Sequence, residues 1–577
     1  LCISVIYNML NDLTIKIAGE AGQGMQTIGT VLSRVFRKNG CHIFSNQDYM
    51  SRVRGGNNFF QLRISDKPLY CLRQKSDIIV ALDKKSALLY QDNIIGNGII
   101  VLDKEKFGIS DGCANFFNVP FYNIANTSGA GDIYINAVCC GIIIGLTGLS
   151  FEGLQLEIKD IFSDKAEEVL SKNINAAKAG YDFAKNNFKD TRFNVRSSEK
   201  NKSLLMNGNE AIALAAIRSG CKFYSAYPMT PSTSIMDTMA HFAGIFNIVV
   251  EQAEDEIAAI NMIIGASFAG VRSMAATSGG GFALMVEGLS LAGMTETPIV
   301  VVDAQRPAPA TGFPTRTEQS DLNFLIHAGH GEFARVVYAP GTIEEAFYLT
   351  IKAFNIAEKY QIPVLIMTDQ HLADSYRDVE HFDLNKVKAR IYRITKKDSQ
   401  KVVAYKRYQL TESGVSPLAV PSWINDVIYA DSDEHNEEGH ITEDASMRIK
   451  MVEKRFYKKM PGLMQETEKP TAYNTDKAKI ILIGFGSTYG VLKETCEALG
   501  PEFGFVHFLQ VWPFPSQDSE LLLEAKNKIF TVENNAGAQL AKLIMRETGI
   551  KVNGSILRFD GRPFNTDYLV ERVKELK

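Results

Sequence analysis

Glu251-Gln-Ala-Glu-Asp-Glu256 opens the stretch whose reading decides the fold of this 577-residue chain. The acidic cluster runs directly into a nearly all-apolar helical segment, Ile257-Ala-Ala-Ile-Asn-Met-Ile-Ile-Gly-Ala-Ser-Phe-Ala269. A short strand, the turn Thr277-Ser-Gly-Gly-Gly281, a second helix and the strand Pro298-Ile-Val-Val-Val-Asp303 follow, ending at Gln305-Arg306. Carboxylates in a first helical turn complement the helix dipole and its unpaired N–H groups. That accounts for Glu251, Glu254 and Asp255, and on spacing alone it would account for Glu256 too. A carboxylate at the mouth of a buried helix nevertheless costs desolvation, which makes Glu256 a candidate for chemistry.

Working outward, Glu256, Gly265, the Thr277-Ser-Gly-Gly-Gly281 turn and the glycine-rich helix after it resemble the pyrimidine-binding domain of thiamine-diphosphate enzymes. The resemblance implies that Glu256 hydrogen-bonds a ring nitrogen of the cofactor's aminopyrimidine. It also implies that Thr277, Ser278 and Gly279 contribute to cofactor binding. Upstream, Tyr224-Ser-Ala-Tyr-Pro-Met-Thr-Pro-Ser-Thr-Ser234 follows a short apolar run and precedes a helix beginning near Ile235. Two prolines fix its backbone, and Thr230, Ser232 and Thr233 offer hydroxyls. A rigid turn with a helix cap explains Ser232 and Thr233.

Tyr-Pro-Met-Thr-Pro resembles the substrate loop of the 2-oxoacid:ferredoxin oxidoreductases, and Arg306-Pro-Ala-Pro-Ala-Thr-Gly-Phe-Pro-Thr315 is similar to a second signature of that family. The resemblance implies that Thr230, Arg306 and Thr315 bind the oxoacid. The chemistry agrees: a guanidinium grips both oxygens of a carboxylate, and α/β sheets place ligands at the carboxyl ends of strands.

The likeness extends over nearly the whole chain. Leu13 to Lys189 resembles the gamma subunit of these enzymes and the remainder the alpha subunit, a fusion found most often among enzymes named for 2-oxoglutarate. The implied fold is α/β and multi-domain. It comprises a gamma-type α/β domain at 10–189, a linker at 190–205 and a thiamine-diphosphate pyrimidine-binding domain at 206–375. A charged, irregular connecting region at 376–472 and a transketolase C-terminal-like α/β domain at 473–577 complete it. The implied activity is coenzyme-A-dependent oxidative decarboxylation of a 2-oxoacid, 2-oxoglutarate over pyruvate on the fusion architecture, with reduction of ferredoxin. Thiamine diphosphate would be shared with a beta subunit that holds Mg2+ and a [4Fe-4S] cluster, in a dimer of alpha–beta pairs. Two other readings stay open: a subunit of a non-redox thiamine-diphosphate lyase or transferase, and a non-catalytic assembly subunit.

Elsewhere the motifs are weaker. Gly19-Glu-Ala-Gly-Gln-Gly24 follows a strand and precedes a helix, with Arg52 and Arg54 in the later Tyr49–Asn57 segment. Its spacing is neither that of a dinucleotide loop nor that of a nucleotide P-loop. A ligand-free strand–helix turn and a phosphate site for coenzyme A are both open. Asp431-Ser-Asp-Glu-His-Asn-Glu-Glu-Gly-His440 reads as a solvated acidic loop before a metal site, and Gly484, Gly486 and Ser487 as a packing turn.

Composition narrows the class. Lys plus Arg number 62 against 66 Asp plus Glu, a net charge of −4, which argues against a nucleic-acid or membrane-surface protein. Val138 to Leu149 is too short and glycine-broken to span a bilayer. The first residues lack a signal-peptide pattern, so the expected location is cytoplasmic. Eight cysteines, at 2, 41, 71, 113, 139, 140, 221 and 496, form no Cys-x-x-Cys pair, so no metal or cluster site is expected in this chain and a partner must carry the cluster.

Overall fold

The computed structural model describes residues 12–51, 55–109, 115–188, 193–195, 201–523 and 528–576. Cys2, Arg52, Arg54, Cys113 and half of the expected linker (190–192 and 196–200) lie outside them. The chain divides into two compact units: Leu1–Met206 with Ser375–His381 and Asn565–Glu571, and Asn207–Asp374 with Phe382–Phe564 and Arg572–Lys577.

In the first unit the described residues form an eight-stranded mixed sheet. Its order is Phe116–Asn118, Ile94–Leu102, Ser76–Ala81, Asp12–Ala21, Gly55–Ser65, His42–Asp48, Tyr376–Val379 and Leu204–Met206. Both faces of the central strands are covered: Ser76–Ala81 is buried throughout, and Asp12–Ala21 is buried from Leu13 to Gly19 although Thr14 and Lys16 interrupt its apolar run. Helix Ile135–Leu146 is buried at ten of its positions and packs on Glu167–Asn187. Glycine sets that contact: a Cβ on Gly141 would sit 1.9 Å from the carbonyl oxygen of Ala177. Among the described residues no single helix is long and apolar enough to cross a membrane.

The second unit holds the sequence that opened the analysis. Its larger sheet runs Gln510–Trp512, Val336–Tyr338, Pro363–Asp369, Ile299–Gln305, Ser273–Thr277, Phe223–Ala226 and Val249–Gln252. Every neighbouring pair is parallel except the first. Helices Glu256–Phe268 and Gly279–Met294 cover one face, with Ile260, Ile263, Phe282 and Met285 against Ala275 and Val301. A five-stranded sheet, Thr471–Tyr473, Phe503–Phe508, Ile480–Phe485, Lys528–Glu533 and Gly554–Leu557, shares that core.

Two local expectations change. The 431–440 stretch is not simply solvated: Glu434 is gripped by Arg455 through two hydrogen bonds of 2.8 and 2.7 Å and also pairs with Arg448. His435 is fully buried against the Tyr408 ring, with centroids 4.0 Å apart. The reason is sequence-distant: the basic helix that follows folds back onto the acidic loop. Ser232 occupies the N-cap position of helix Thr233–Phe246 but does not cap it; its hydroxyl donates instead to the Met229 carbonyl at 2.8 Å.

Candidate active site

Four neighbouring parallel strands deliver the sequence-predicted residues at their carboxyl ends. Phe223–Ala226 leads into Met229 and Thr230, Val249–Gln252 into Glu256, Ser273–Thr277 into Ser278, and Ile299–Gln305 into Arg306. Parallel pairing puts all four ends on one edge of the sheet, where backbone turns leave room for a ligand.

The acidic cluster separates by exposure. Glu251, Glu254 and Asp255 are exposed, whereas Glu256 is only 4% exposed. Asp255 caps the helix, accepting the Ala258 N–H at 2.7 Å. Capping is thereby assigned to one residue, and Glu256 is left over from it. Its Oε1 is buried without a hydrogen-bond partner. A buried carboxyl oxygen in that condition costs roughly 1–3 kcal/mol or more, so the arrangement needs an explanation outside the fold.

Gly281 shows what surrounds that oxygen. A Cβ there would stand 2.1 Å from Thr277 Oγ1 and 2.4 Å from Glu256 Oε1. The threonine hydroxyl and the glutamate oxygen therefore lie side by side under the first turn of helix Gly279–Met294. Thr277 is fully buried; its hydroxyl reaches Met229 Sδ at 3.9 Å, which ties the turn to the Tyr-Pro-Met-Thr-Pro loop. Ser278 is buried at the N-cap of the same helix, and its Oγ has no partner and makes no cap. Gly279 allows a different neighbour to approach, since a Cβ would fall 2.4 Å from Asp321 Oδ2.

Arg306 joins the group from the other side. Its Nη1 donates to the Thr230 carbonyl at 2.7 Å. Burial lowers its proton affinity, and the nearby Glu256 charge pulls it back up. The turn beyond it folds on itself, with Phe313 N–H on the Pro307 carbonyl at 3.2 Å. Gly312 is required there: φ is +51°, and a Cβ would strike the Pro307 oxygen at 1.8 Å. Thr315 is buried at the end of this turn. Asn209 pins the Thr230 loop, donating to the Pro231 carbonyl and the Ser234 hydroxyl, each at 2.8 Å.

Asp303 and Asp321 escaped the sequence reading. Asp303 ends an otherwise apolar strand run, which was the available signal. It is paired in register with Thr277 and buried, with neither oxygen hydrogen-bonded. In the first unit, the Gly19–Gly24 loop is closed by its own side chain: Gln23 Oε1 accepts the Glu20 N–H at 2.7 Å and fills the space beside Gly19.

Residues 214–454 match the thiamine-diphosphate-binding family of pyruvate flavodoxin/ferredoxin oxidoreductases, and residues 14–183 match the pyruvate ferredoxin/flavodoxin oxidoreductase family. The chain is 34% identical to the 2-oxoacid:ferredoxin oxidoreductase subunit alpha of a Sulfolobus species, over 96% of each chain. It is 35% identical to the 2-oxoglutarate synthase subunit KorA of Methanocaldococcus jannaschii, over 58% of this chain and 88% of the relative. A solved structure of Magnetococcus marinus 2-oxoglutarate:ferredoxin oxidoreductase with 2-oxoglutarate, coenzyme A and succinyl-CoA bound is 32% identical. It superposes with a TM-score of 0.91 over 98% of this chain and 99% of that one. The chain therefore belongs to the alpha subunits of the 2-oxoacid:ferredoxin oxidoreductases, and is an oxidoreductase of that class.

Proposed function

We propose that this chain is the gamma-fused alpha subunit of an enzyme that converts a 2-oxoacid and coenzyme A into acyl-CoA and carbon dioxide while reducing ferredoxin, with 2-oxoglutarate as the oxoacid. The carrying observation is the unpartnered, buried Oε1 of Glu256, set in one row of strand ends with Thr230, Thr277 and Arg306. The 2-oxoglutarate synthase relatives and the ligands of the Magnetococcus structure support the choice of oxoacid.

The residues fit thiamine diphosphate. An aminopyrimidine nitrogen needs one carboxyl oxygen and a flat approach, and Glu256 beside the bare Gly281 offers both. When bound, the cofactor supplies the electron sink that lets carbon dioxide leave a 2-oxoacid. Glu256 shares a proton at its free oxygen with the ring nitrogen, in a pocket dry enough to strengthen that bond. Thr277, Ser278 and Gly279 line its edge.

Arg306 receives the oxoacid carboxylate. One of its nitrogens is spent on the Thr230 carbonyl, which fixes the guanidinium plane and leaves its remaining N–H groups for a two-point grip. The Thr230 and Thr315 hydroxyls complete the contact. With Glu256 opposite, the site is balanced in charge until the substrate enters.

A beta subunit would bring the magnesium, the pyrophosphate contacts and the [4Fe-4S] cluster. Burial pushes the Cys41, Cys140, Cys221 and Cys496 thiols up to about 12, which makes them poor thiolate ligands. The surface beside Glu256 also suits a covering partner: Ile257 on its own helix and Leu284 on helix Gly279–Met294 are exposed. A dimer of alpha–beta pairs is the assembly we assign.

The test is to tag the chain, purify its complex anaerobically and measure iron, thiamine and coenzyme-A-dependent viologen reduction with a panel of oxoacids. Iron, thiamine and reduction with 2-oxoglutarate alone are expected. Thiamine without iron would turn the reading towards a non-redox enzyme, and reduction with another oxoacid would reassign the substrate.

A further inference from the structure

Behind the Thr277–Gly281 turn lies a second group of polar atoms that neither the fold nor the proposed reaction uses. Asp303 is 1% exposed on strand Ile299–Gln305, and neither of its oxygens has a hydrogen-bond donor. Asp321 is 8% exposed, and its Oδ2 is equally unpartnered. The two carboxyl groups are close enough to feel each other's charge.

Their surroundings differ in kind. Asp321 lies against Gly279, at the first turn of the 16-residue helix Gly279–Met294. Its own N–H is held by Gln305 Oε1 at 3.0 Å, and Gln305 is in turn anchored to the Thr368 carbonyl at 3.1 Å. The helix N-terminus favours an anion there. Asp303 has no such help. It sits in the sheet with Thr277 on one side and Met367 on the other in register, and a charge at that position would be desolvated without compensation.

The remaining charged groups reinforce the contrast. Burial, and after it the charge of Glu318 in the preceding loop, pushes the Asp321 carboxyl up to about 6. Arg316 in the same loop packs against Gly561. Asp369, on the neighbouring strand, takes the Leu372 N–H at 3.0 Å. Glu256 Oε1 lies against Gly281, two residues beyond Gly279 in the same turn, and its charge reaches Arg306. Helix Leu322–His327 ends in His327, which meets Arg546 at 2.8 Å. For Asp303 itself, burial and Asp321 both act in one direction, well above the usual carboxylate range.

We propose that Asp303 keeps its proton at neutral pH beside an ionised Asp321, and that this neutral acid is a positioning residue which holds Thr277, and through it Glu256, in working geometry. The inference rests on the functional reading above. Thr277 connects the two: it is the register partner of Asp303, and its Oγ1 lies beside Glu256 Oε1. A second anion at Asp303 would repel the Asp321 carboxylate and strain the strand that carries Thr277. The sign follows directly. A group that holds its proton in the folded chain above the value it has when unfolded destabilises the fold as pH rises, and here turnover falls with it.

The experiment uses the complex purified on this chain, with Asp303→Ala and Asp303→Asn beside the wild type. Asp303→Ala is expected to lower kcat about tenfold through loss of position. Asp303→Asn, neutral and of the same shape, is expected to recover most of that loss and to abolish the alkaline fall in kcat, with KM for the oxoacid unmoved. Infrared spectra of the full chain at neutral pH should show a protonated carboxyl band that Asp303→Asn removes. Absence of that band overturns the proposal, as does an alkaline limb that Asp303→Asn leaves in place, or a tightly bound cation that disappears in the variant. If the wild type oxidises no oxoacid, the functional reading fails on its own, and the infrared band still decides where the proton is.

Discussion

Two glutamates, buried to nearly the same degree, flank the helices that build the site, and the protein treats them in opposite ways. Glu296 follows helix Gly279–Met294 in the left-handed region, at φ +49°, and is 1% exposed. Its carboxylate is held by Lys454 and by Lys459, the latter at 2.6 Å, while Arg407 donates to its backbone carbonyl at 2.6 Å. Glu256 opens helix Glu256–Phe268 at 4% exposure, and one of its oxygens has no partner at all. The chain plainly has the means to neutralise a buried carboxylate. Where it does so, the residue fastens Arg407, Lys454 and Lys459 to the end of helix Gly279–Met294; where it does not, we assign the missing partner to a ligand.

The largest expected effect breaks or upholds that contrast directly. Glu256→Gln should keep the fold, because no internal bond is lost, yet turnover should drop by about 10²–10⁴-fold, the usual share of a group that handles a proton. Viologen reduction and thermal unfolding of the same preparation measure both halves. Near-normal turnover would return Glu256 to the class of helix-end carboxylates.

Glu296→Gln should do the reverse. Two buried ammonium groups would lose their counter-charge, a loss on the order of 3–5 kcal/mol of stability, with kcat per folded molecule preserved. The pH dependence has a definite sign. Burial pushes the Glu296 carboxyl up, but Lys454, Lys459 and Arg407 together pull it below its ordinary 4.5. Its contribution is therefore complete above that value and is lost as pH falls through the depressed one. Acid unfolding monitored for wild type and variant should converge at low pH.

How far this was legible in the sequence depends on distance along the chain. Glu256, the glycine turn and the two proline loops stand out as motifs, and the α/β class follows from alternating apolar runs, because local patterning is governed by local physics. What patterning cannot give is the order of strands. Asp303 acquires meaning only when Thr277 becomes its register partner, and Asp321 only when Gly279 lets a helix start close upon it. The acidic 431–440 stretch looked solvated for the same reason, since Arg448 and Arg455 reach Glu434 from a later helix.

Arg306→Ala tests the cationic side of the site at an intermediate scale. A charge-assisted contact of about 1.5–3 kcal/mol corresponds to roughly a ten- to hundredfold rise in KM for the oxoacid. KM for coenzyme A should move far less; equal changes in both would make Arg306 a brace for the Thr230 loop and nothing more.

The smallest effect comes from a third buried carboxylate, in the other unit, where partners are abundant. Asp378 is 7% exposed and accepts from His42 Nδ1 at 2.7 Å, Ile43 N–H at 2.7 Å and Asn201 Nδ2 at 3.1 Å. Losing one donor of three leaves the carboxylate satisfied, so His42→Gln should cost only about 1 kcal/mol. The hydrogen bond to Asp378 raises the His42 proton affinity above 6.5 more than burial lowers it. The stability it adds is thus present below 6.5 and fades as pH climbs through the raised value. A wild-type melting temperature that declines across that window, and a His42→Gln variant that does not, would place Asp378 with Glu296 among the carboxylates the fold itself satisfies. A loss as large as that of Glu296→Gln would mean that partner number is the wrong measure, and the argument from the open oxygen of Glu256 would weaken with it.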